Sequence, residues 1–302
     1  MKTVELLAGG ATDIGLARET NEDRYWMDAE RGVFLVVDGL GGQPGGEQAA
    51  EIAVREIQDD LRSWEAGEDC EERLRAAITR ANNRIYELAR RGDGARGMAC
   101  VLTLALVDGA EMTIGHVGDS RLYLVWHGSL RKLTSDHSPV GEEEDAGELT
   151  EREAMAHPRR NEVFRDVGSR PRSADEEGFI QVRRCRFRPD AAILLCSDGI
   201  TDQLTAARIR EIIARYDGDA ENVARLLVEA ANDAGGTDNA TALFAAGSAF
   251  GAAKETTRLR LPATKITERR RVWTGRLAFL AYGLLLGMLV WAVLHAGRWV
   301  KL

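Results

Sequence analysis

Along this chain, short apolar runs that close on Asp and Gly alternate with longer stretches of helical period. Val33 to Val37 is apolar and ends in Asp38-Gly39, and Met112 to Val117 runs into Gly118-Asp119-Ser120. Ala191 to Cys196 runs into Ser197-Asp198-Gly199, and Ala240 to Ala245 follows Thr237-Asp238-Asn239. Runs of this length, bounded by turn formers, predict strands. Leu122 to Val125 predicts another, followed by a His127-Gly128 turn and a more polar strand through Leu133. Period-two alternation puts Leu122, Leu124 and Trp126 on one face, and Tyr123 and Val125 on the other. Apolar spacing of three and four predicts helices over Glu47–Trp64 and Glu71–Arg91, with shorter ones at Ala206–Arg215 and Glu221–Asp233.

Two successive helices between strands, then a run of strands, predict an α+β fold rather than repeated βαβ units. Ser138 to Ser173 is Glu- and Arg-rich without a period and is expected to be an irregular insertion, a flap. No internal repeat is evident. The strand and helix pattern ends near residue 247. Residues 248–276 mix small residues with Arg and Lys and are expected to be a basic linker. Leu277 to Leu294 carries no charge. As a helix it would reach roughly 27 Å, close to a ~30 Å hydrocarbon core. Residues 277–295 are therefore expected to span a membrane, leaving 296–302 as a short tail.

Charge sharpens that division. The chain of 302 residues has a net charge of −8, yet residues 254–302 hold 10 Lys/Arg against 2 Asp/Glu, and the first 253 hold 30 against 46. An acidic body with a basic tail argues against nucleic-acid binding and for a membrane surface. Flanking the apolar stretch, seven basic residues precede it and two follow. The positive-inside rule then puts the body in the cytoplasm, on a single-pass anchor. A composition of 44% hydrophobic and 29% charged residues excludes collagen-like, disordered and disulfide-rich chains. The four cysteines form no C-x-x-C pair, and no apolar segment follows Met1-Lys2, so a reducing compartment is expected. Cys100 and Cys196 sit in apolar runs and are expected in the core, as are Trp64 and Trp126.

A single Asp-Gly is ordinarily a turn. Several of them at the ends of buried strands change the picture. Their carboxylates would converge at one edge and repel unless cations lay between them. An all-oxygen set, with no His or Cys pair, favours Mg²⁺ or Mn²⁺ over Zn²⁺.

The ordered set Arg18-x-x-Asn21-Glu22-Asp23, Val37-Asp38-Gly39-Leu40-Gly41-Gly42, Gly118-Asp119-Ser120-Arg121, Asp136-His137-Ser138, Cys196-Ser197-Asp198-Gly199-Ile200-Thr201-Asp202 and Gly235-Gly236-Thr237-Asp238-Asn239 resembles the metal-dependent serine/threonine protein phosphatases of type 2C, over about residues 8 to 246. The resemblance implies an αββα sandwich of two antiparallel sheets flanked by helices, spanning residues 1–247. It implies a binuclear Mn²⁺ or Mg²⁺ centre. Asp38 would bridge the metals, the Gly39 carbonyl would bind one, and Asp198 and Asp238 would hold the other. Glu22 would act on the first metal, directly or through water, with Asp23 in support. Arg18 would grip the substrate phosphate, and Asn239 would hold a metal-bound water or phosphate. Asp119 is the candidate for a weaker third metal, with Asp145 as its second ligand. The implied reaction is in-line hydrolysis of phosphoserine and phosphothreonine on proteins by metal-activated hydroxide, without a phosphoenzyme.

Where animal members carry a His after Asp-Gly, this chain has Leu40, and Gln43 stands where many bacterial members have one. His137 is expected to orient its neighbouring strand rather than to act in catalysis. The expected partners are phosphorylated proteins, a Ser/Thr kinase whose membrane-associated signalling the enzyme reverses, and the membrane itself. The alternatives are a phosphatase of anti-sigma-type regulators and a catalytically weak phosphoprotein-binding scaffold, which the intact acid set disfavours.

Overall fold

A computed structural model describes residues 5–40, 44–65, 67–91 and 97–251. Gln43, the expected linker beyond residue 251 and the expected membrane span 277–295 lie outside the described residues. Among those described, no helix is long and apolar enough to cross a membrane.

In chain order the elements are β1 (Leu6–Asp13), β2 (Arg24–Asp28), β3 (Val33–Leu40), α1 (Pro44–Leu61), α2 (Cys70–Arg90), β4 (Ala99–Asp108), β5 (Glu111–Val117), β6 (Arg121–Trp126), β7 (Ser129–Lys132), α3 (Pro139–Asp145), α4 (Glu151–Met155), β8 (Gln181–Arg186), β9 (Ala191–Cys196), α5 (Asp198–Thr201), α6 (Ala206–Ile213), α7 (Ala220–Ala234) and β10 (Ala240–Gly247). The strands form two antiparallel five-stranded sheets, ordered β1-β10-β9-β6-β7 and β2-β3-β4-β5-β8.

Three apolar layers explain why the sheets stack. Leu35, Val37, Leu102 and Leu104 face α1 and α2, meeting Ile57, Leu74 and Ile78. On the opposite side, Leu194, Ala242 and Phe244 meet Ile209, Val223 and Leu227 of α6 and α7. Between the sheets lie Phe34, Val36, Ile114, Leu122, Ile193, Leu195 and Leu243. Strands such as β3 and β9 therefore bury both faces, which is why they read as continuous apolar runs rather than alternating ones. In β6 the expected alternation holds: Leu122 and Leu124 turn to the inter-sheet layer, Tyr123 and Val125 to the α6–α7 side. The four layers are the α+β sandwich that the motifs implied.

Several elements depart from expectation. The insertion contains α3, capped by Ser138, and α4, closed by a capping box between Thr150 and Glu153. Ser and Thr followed three residues later by a side chain or amide that completes the cap nucleate these short turns without an apolar stripe. Trp126 is not a core residue: it is 36% exposed at the end of β6, with its Nε1 donating to Asp190. Cys100, Cys196 and Trp64 are buried as expected, and the cysteines are free.

Candidate active site

The strand directions bring the acids together. β3 and β5 flank β4 antiparallel on both sides, so their C-terminal ends, carrying Asp38 and Gly118-Asp119, lie at the same edge. In the other sheet β9 ends at Cys196, opposite the start of β10, so Asp198 and Asp238 meet at that edge too. Arg18, Glu22, Asp38, Gly39, Asp119, Asp198, Asp238 and Asn239 line one cleft of ≈ 250 Å³, joined by Leu40 and by Asn161 of the insertion. Two glycines make the approach possible. Gly118 has φ 109°, and a Cβ there would lie 2.1 Å from Val101 Cγ1. A Cβ on Gly199 would lie 2.0 Å from the Asn239 carbonyl oxygen, so only glycine lets the Asp198 turn close on the Asp238-Asn239 segment.

The cleft is electrostatically strained. Desolvation, then the charges of Asp23, Asp198, Asp119 and Asp238, hold the Asp38 carboxyl well above the usual carboxylate range. Asp198 is raised in the same way, by burial first and then by Asp119, Asp202 and Asp238. Burial and then Asp136 push Asp119 up to about 7. Buried like charges disfavour one another's ionised forms. Among the described residues no three carboxylates, imidazoles or thiols close into a ready-made cation cage. The carboxylates instead form the walls of the cleft.

Four of the expected site residues make contacts that the motifs did not specify. First, Arg18 Nη2 lies 2.6 Å from Asp238 Oδ2, so a guanidinium stands among the acids. Burial works against the Arg18 charge, but Asp238 next to it raises its pKa overall. Secondly, the Asn239 amide is engaged with backbone at the edge of the cleft. Its Oδ1 accepts from Glu22 N at 2.8 Å, and its Nδ2 donates to Ile14 O and Thr20 O, each at 2.9 Å. Asn239 thus clasps the loop that presents Arg18 and Glu22. Thirdly, Asp23 is 1% exposed and absent from the cleft lining. Its Oδ2 accepts from Ser197 Oγ at 2.6 Å, and burial pushes it up to about 7. It braces the Asp198 turn from behind. Finally, Asp145 lies off the cleft, with Oδ1 2.7 Å from Lys132 Nζ. His137 also faces away from the cleft, its Nδ1 accepting from Gly118 N at 3.0 Å, in keeping with an orienting role.

The group beside Asp119 that composition and motif order did not assign is Asp202. A small cavity of ≈ 30 Å³ is lined by Asp119, Asp198 and Asp202, together with residues of the insertion. Arg160 Nε donates to Asp202 Oδ2 at 2.9 Å. The signal was present in the spacing: Asp198 and Asp202 are four apart, which on a helical turn is one face. Asn161 had no such signal, because only folding of the insertion carries it to the cleft.

These features match known proteins along most of the chain. The model of the protein phosphatase 2C family matches residues 17–230. The serine/threonine phosphatase stp of Listeria welshimeri is 34% identical over 241 residues, covering 77% of this chain and 92% of that protein. The crystal structure of the serine/threonine phosphatase Stp1 of Staphylococcus aureus superposes with a TM-score of 0.72 at 30% identity, covering 82% of this chain and 97% of that one. The catalytic domain of the serine/threonine protein phosphatase PstP, crystallised with two manganese ions, gives 0.71 at 28% identity, covering 81% and 99%. The chain belongs to the protein phosphatase 2C family.

Proposed function

We propose that this protein hydrolyses phosphoserine and phosphothreonine in protein substrates at the cleft around Asp38, with Mn²⁺ or Mg²⁺ as cofactor. The observation that carries the reading is the convergence of Asp38, Asp119, Asp198 and Asp238 from four strand ends in one cleft. The donor chemistry fits a hard cation: the cleft offers carboxylates and the Gly39 carbonyl, and among its described lining residues there is no His or Cys. The raised pKa values of Asp38 and Asp198 say the same, since bound cations would relieve the repulsion. Asp38, Gly39, Asp198 and Asp238, with Glu22 and Asp119, are the residues that would hold two ions and a weaker third. The two manganese ions in the PstP catalytic domain support this. When bound, such ions supply Lewis acidity and lower the pKa of water.

The chain's own residues do the rest. Arg18, with a side chain 37% exposed at the cleft, presents a guanidinium fork suited to phosphoryl oxygens. One of its N–H groups already bonds Asp238, so the same side chain is held in place before substrate arrives. Asn239 keeps the Arg18–Glu22 loop seated, Asp23 and Ser197 keep the Asp198 turn seated, and Asn161 closes the cleft from the insertion. No imidazole lines the cleft among the described residues, so leaving-group protonation does not fall to a histidine there. The test is release of phosphate from a phosphothreonine peptide and from p-nitrophenyl phosphate, with Mn²⁺ and after chelation. Both activities should vanish on chelation and in Asp38→Asn. Full turnover by the metal-free protein would refute the reading.

The same proposal extends to place. The charge-free stretch within 277–295 and the seven-to-two basic asymmetry around it support a single-pass anchor with the catalytic domain in the cytoplasm. There the enzyme would oppose a membrane-associated Ser/Thr kinase. The full chain should resist a carbonate wash of membranes; release into the supernatant would remove the anchor.

A further inference from the structure

Beneath the Asp119 turn lies a buried polar cluster that the chemistry above does not use. His116 is fully buried and His137 is 5% exposed, and their ring centroids are 4.8 Å apart. His116 is fixed by Thr103 Oγ1 at 2.9 Å and Ser135 O at 3.2 Å, and Thr103 Oγ1 also donates to Ser120 O at 3.1 Å. His137 holds the Gly118 peptide at both ends. Its backbone N–H donates to Gly118 O at 2.7 Å, and its Nδ1 accepts from Gly118 N at 3.0 Å. The residues either side of Asp119 are thus both pinned by this cluster.

The other side of His137 belongs to the insertion. Phe164 N donates to His137 O at 2.9 Å, and Arg165 Nη1 lies 3.1 Å from His137 Nε2. A neutral imidazole has one N–H and one lone pair. Arginine can only donate, and so can the Gly118 N–H. Both neighbours therefore require the same lone pair. Protonating the ring would satisfy neither, and burial together with His116 and Arg165 keeps it neutral. With the lone pair on Nδ1, Gly118 is held and Nε2–H opposes Arg165. With the lone pair on Nε2, Arg165 is held and the Gly118 N–H loses its acceptor.

We propose that His137 is the positioning residue through which the insertion acts on Asp119: Gly118 and Arg165 compete for one imidazole lone pair, so docking of the 164–165 segment and seating of the Asp119 turn are coupled. The coupling rests on the phosphatase reading only in what Asp119 does for the reaction. The contacts themselves are independent of it.

The two nitrogens can be replaced separately. In His137→Asn the side-chain oxygen takes the place of Nδ1 and keeps Gly118; in His137→Gln it reaches the place of Nε2 and keeps Arg165. The full chain and its variants are assayed on p-nitrophenyl phosphate, which is confined to the cleft, and on a phosphothreonine peptide, which extends beyond it. His137→Gln should lower kcat on both substrates by about tenfold or more, since misplacing a reacting group by about 1 Å can cost 10²-fold. His137→Asn should keep kcat on p-nitrophenyl phosphate within about threefold, and raise the peptide KM to the same extent as Arg165→Ala, with the double variant no worse than either single one. Equal behaviour of the Asn and Gln variants, or effects of His137→Asn and Arg165→Ala that multiply, would overturn the coupling. Deuterium exchange at the Gly118 amide gives a readout that needs no activity. Exchange should be faster in His137→Gln than in the wild type and slower in His137→Asn, where Arg165 no longer competes for the acceptor. If the wild type failed to turn over either substrate, the phosphatase reading would fall while this exchange pattern still decided the coupling.

Discussion

Replacing Asn239 by Ala separates a clasp from a ligand. The side chain is 5% exposed and makes three hydrogen bonds, of 2.8, 2.9 and 2.9 Å, to Glu22 N, Ile14 O and Thr20 O. A buried hydrogen bond contributes about 0.5–1.5 kcal/mol net. Three of them give about 3 kcal/mol, less whatever water entering the vacated site restores. In a domain of this size each 1 kcal/mol moves Tm by about 2–4 °C, so the expected fall is about 6–12 °C. The loop released by the substitution carries Arg18 and Glu22, so kcat/KM on p-nitrophenyl phosphate should fall alongside. Asn239→Asp tightens the test. It keeps the acceptor for Glu22 N but sets an oxygen against the Ile14 and Thr20 carbonyls, so it should be no milder than Ala despite its equal size. Calorimetry and steady-state kinetics on the same preparations decide the matter. Lost activity with an unchanged Tm would mean that Asn239 acts directly on phosphate or metal, and the clasp account would be wrong.

Stability of the chelated protein should depend on pH through the crowded carboxyls. Asp23 and Asp119, each raised by burial to about 7 from an ordinary 3.8, keep protons in the folded state that the unfolded chain has released. Their contribution is complete below about pH 4 and is lost as pH rises through about 7. Tm of the chelated protein should therefore fall between pH 5 and 7.5, and Asp119→Asn should shrink that fall; a Tm that rises over this interval in the chelated protein would contradict the assignment. Asp145→Ala should leave kcat within about twofold, because its carboxylate is occupied by Lys132 in a partly exposed pair worth about 0–1 kcal/mol. A large loss of turnover would return Asp145 to the metal site.

Much of the catalytic edge was legible before folding was known, and the reason is local. A continuous apolar run must be buried, and an Asp-Gly or Gly-Asp that ends it must stand at the rim of whatever buries it. Asp38, Asp119 and Asp198 follow from that, as does the helical period of α1, α2, α6 and α7. β1, β2 and β8 carry no such run, and β4 (Ala99–Asp108), which does, ends in Asp108-Gly109 at the opposite edge. β2 (Arg24–Asp28) is short and half-exposed throughout, and β8 (Gln181–Arg186) is a polar edge strand; each is a strand because β3 or β5 offers it an unpaired edge. β1 (Leu6–Asp13), with two glycines, is held by eight residue pairs to β10, more than two hundred positions away.

The roles within the site divide along the same line. Residue type and motif order select which acids belong together, because carboxylates at strand ends have few other uses in such number. They do not say which way an amide or a second carboxylate points. Asn239 and Asp238 are neighbours in the chain, yet one clasps backbone across the loop while the other faces Arg18. Asp23 follows Glu22, yet only Glu22 reaches the cleft. Asp145 stood in an acidic run and was drawn to Lys132, whereas Asp202 was brought beside Asp119 by one helical turn. Such choices depend on distances of a few ångströms between segments remote in sequence, where burial penalises every charge left without a partner. The chain's order of residues determined that a cluster of acids would form at one end of a sandwich. Packing of the two sheets and the insertion decided which of them are exposed to a substrate, which brace the turns from behind, and which are neutralised by a neighbouring lysine or arginine.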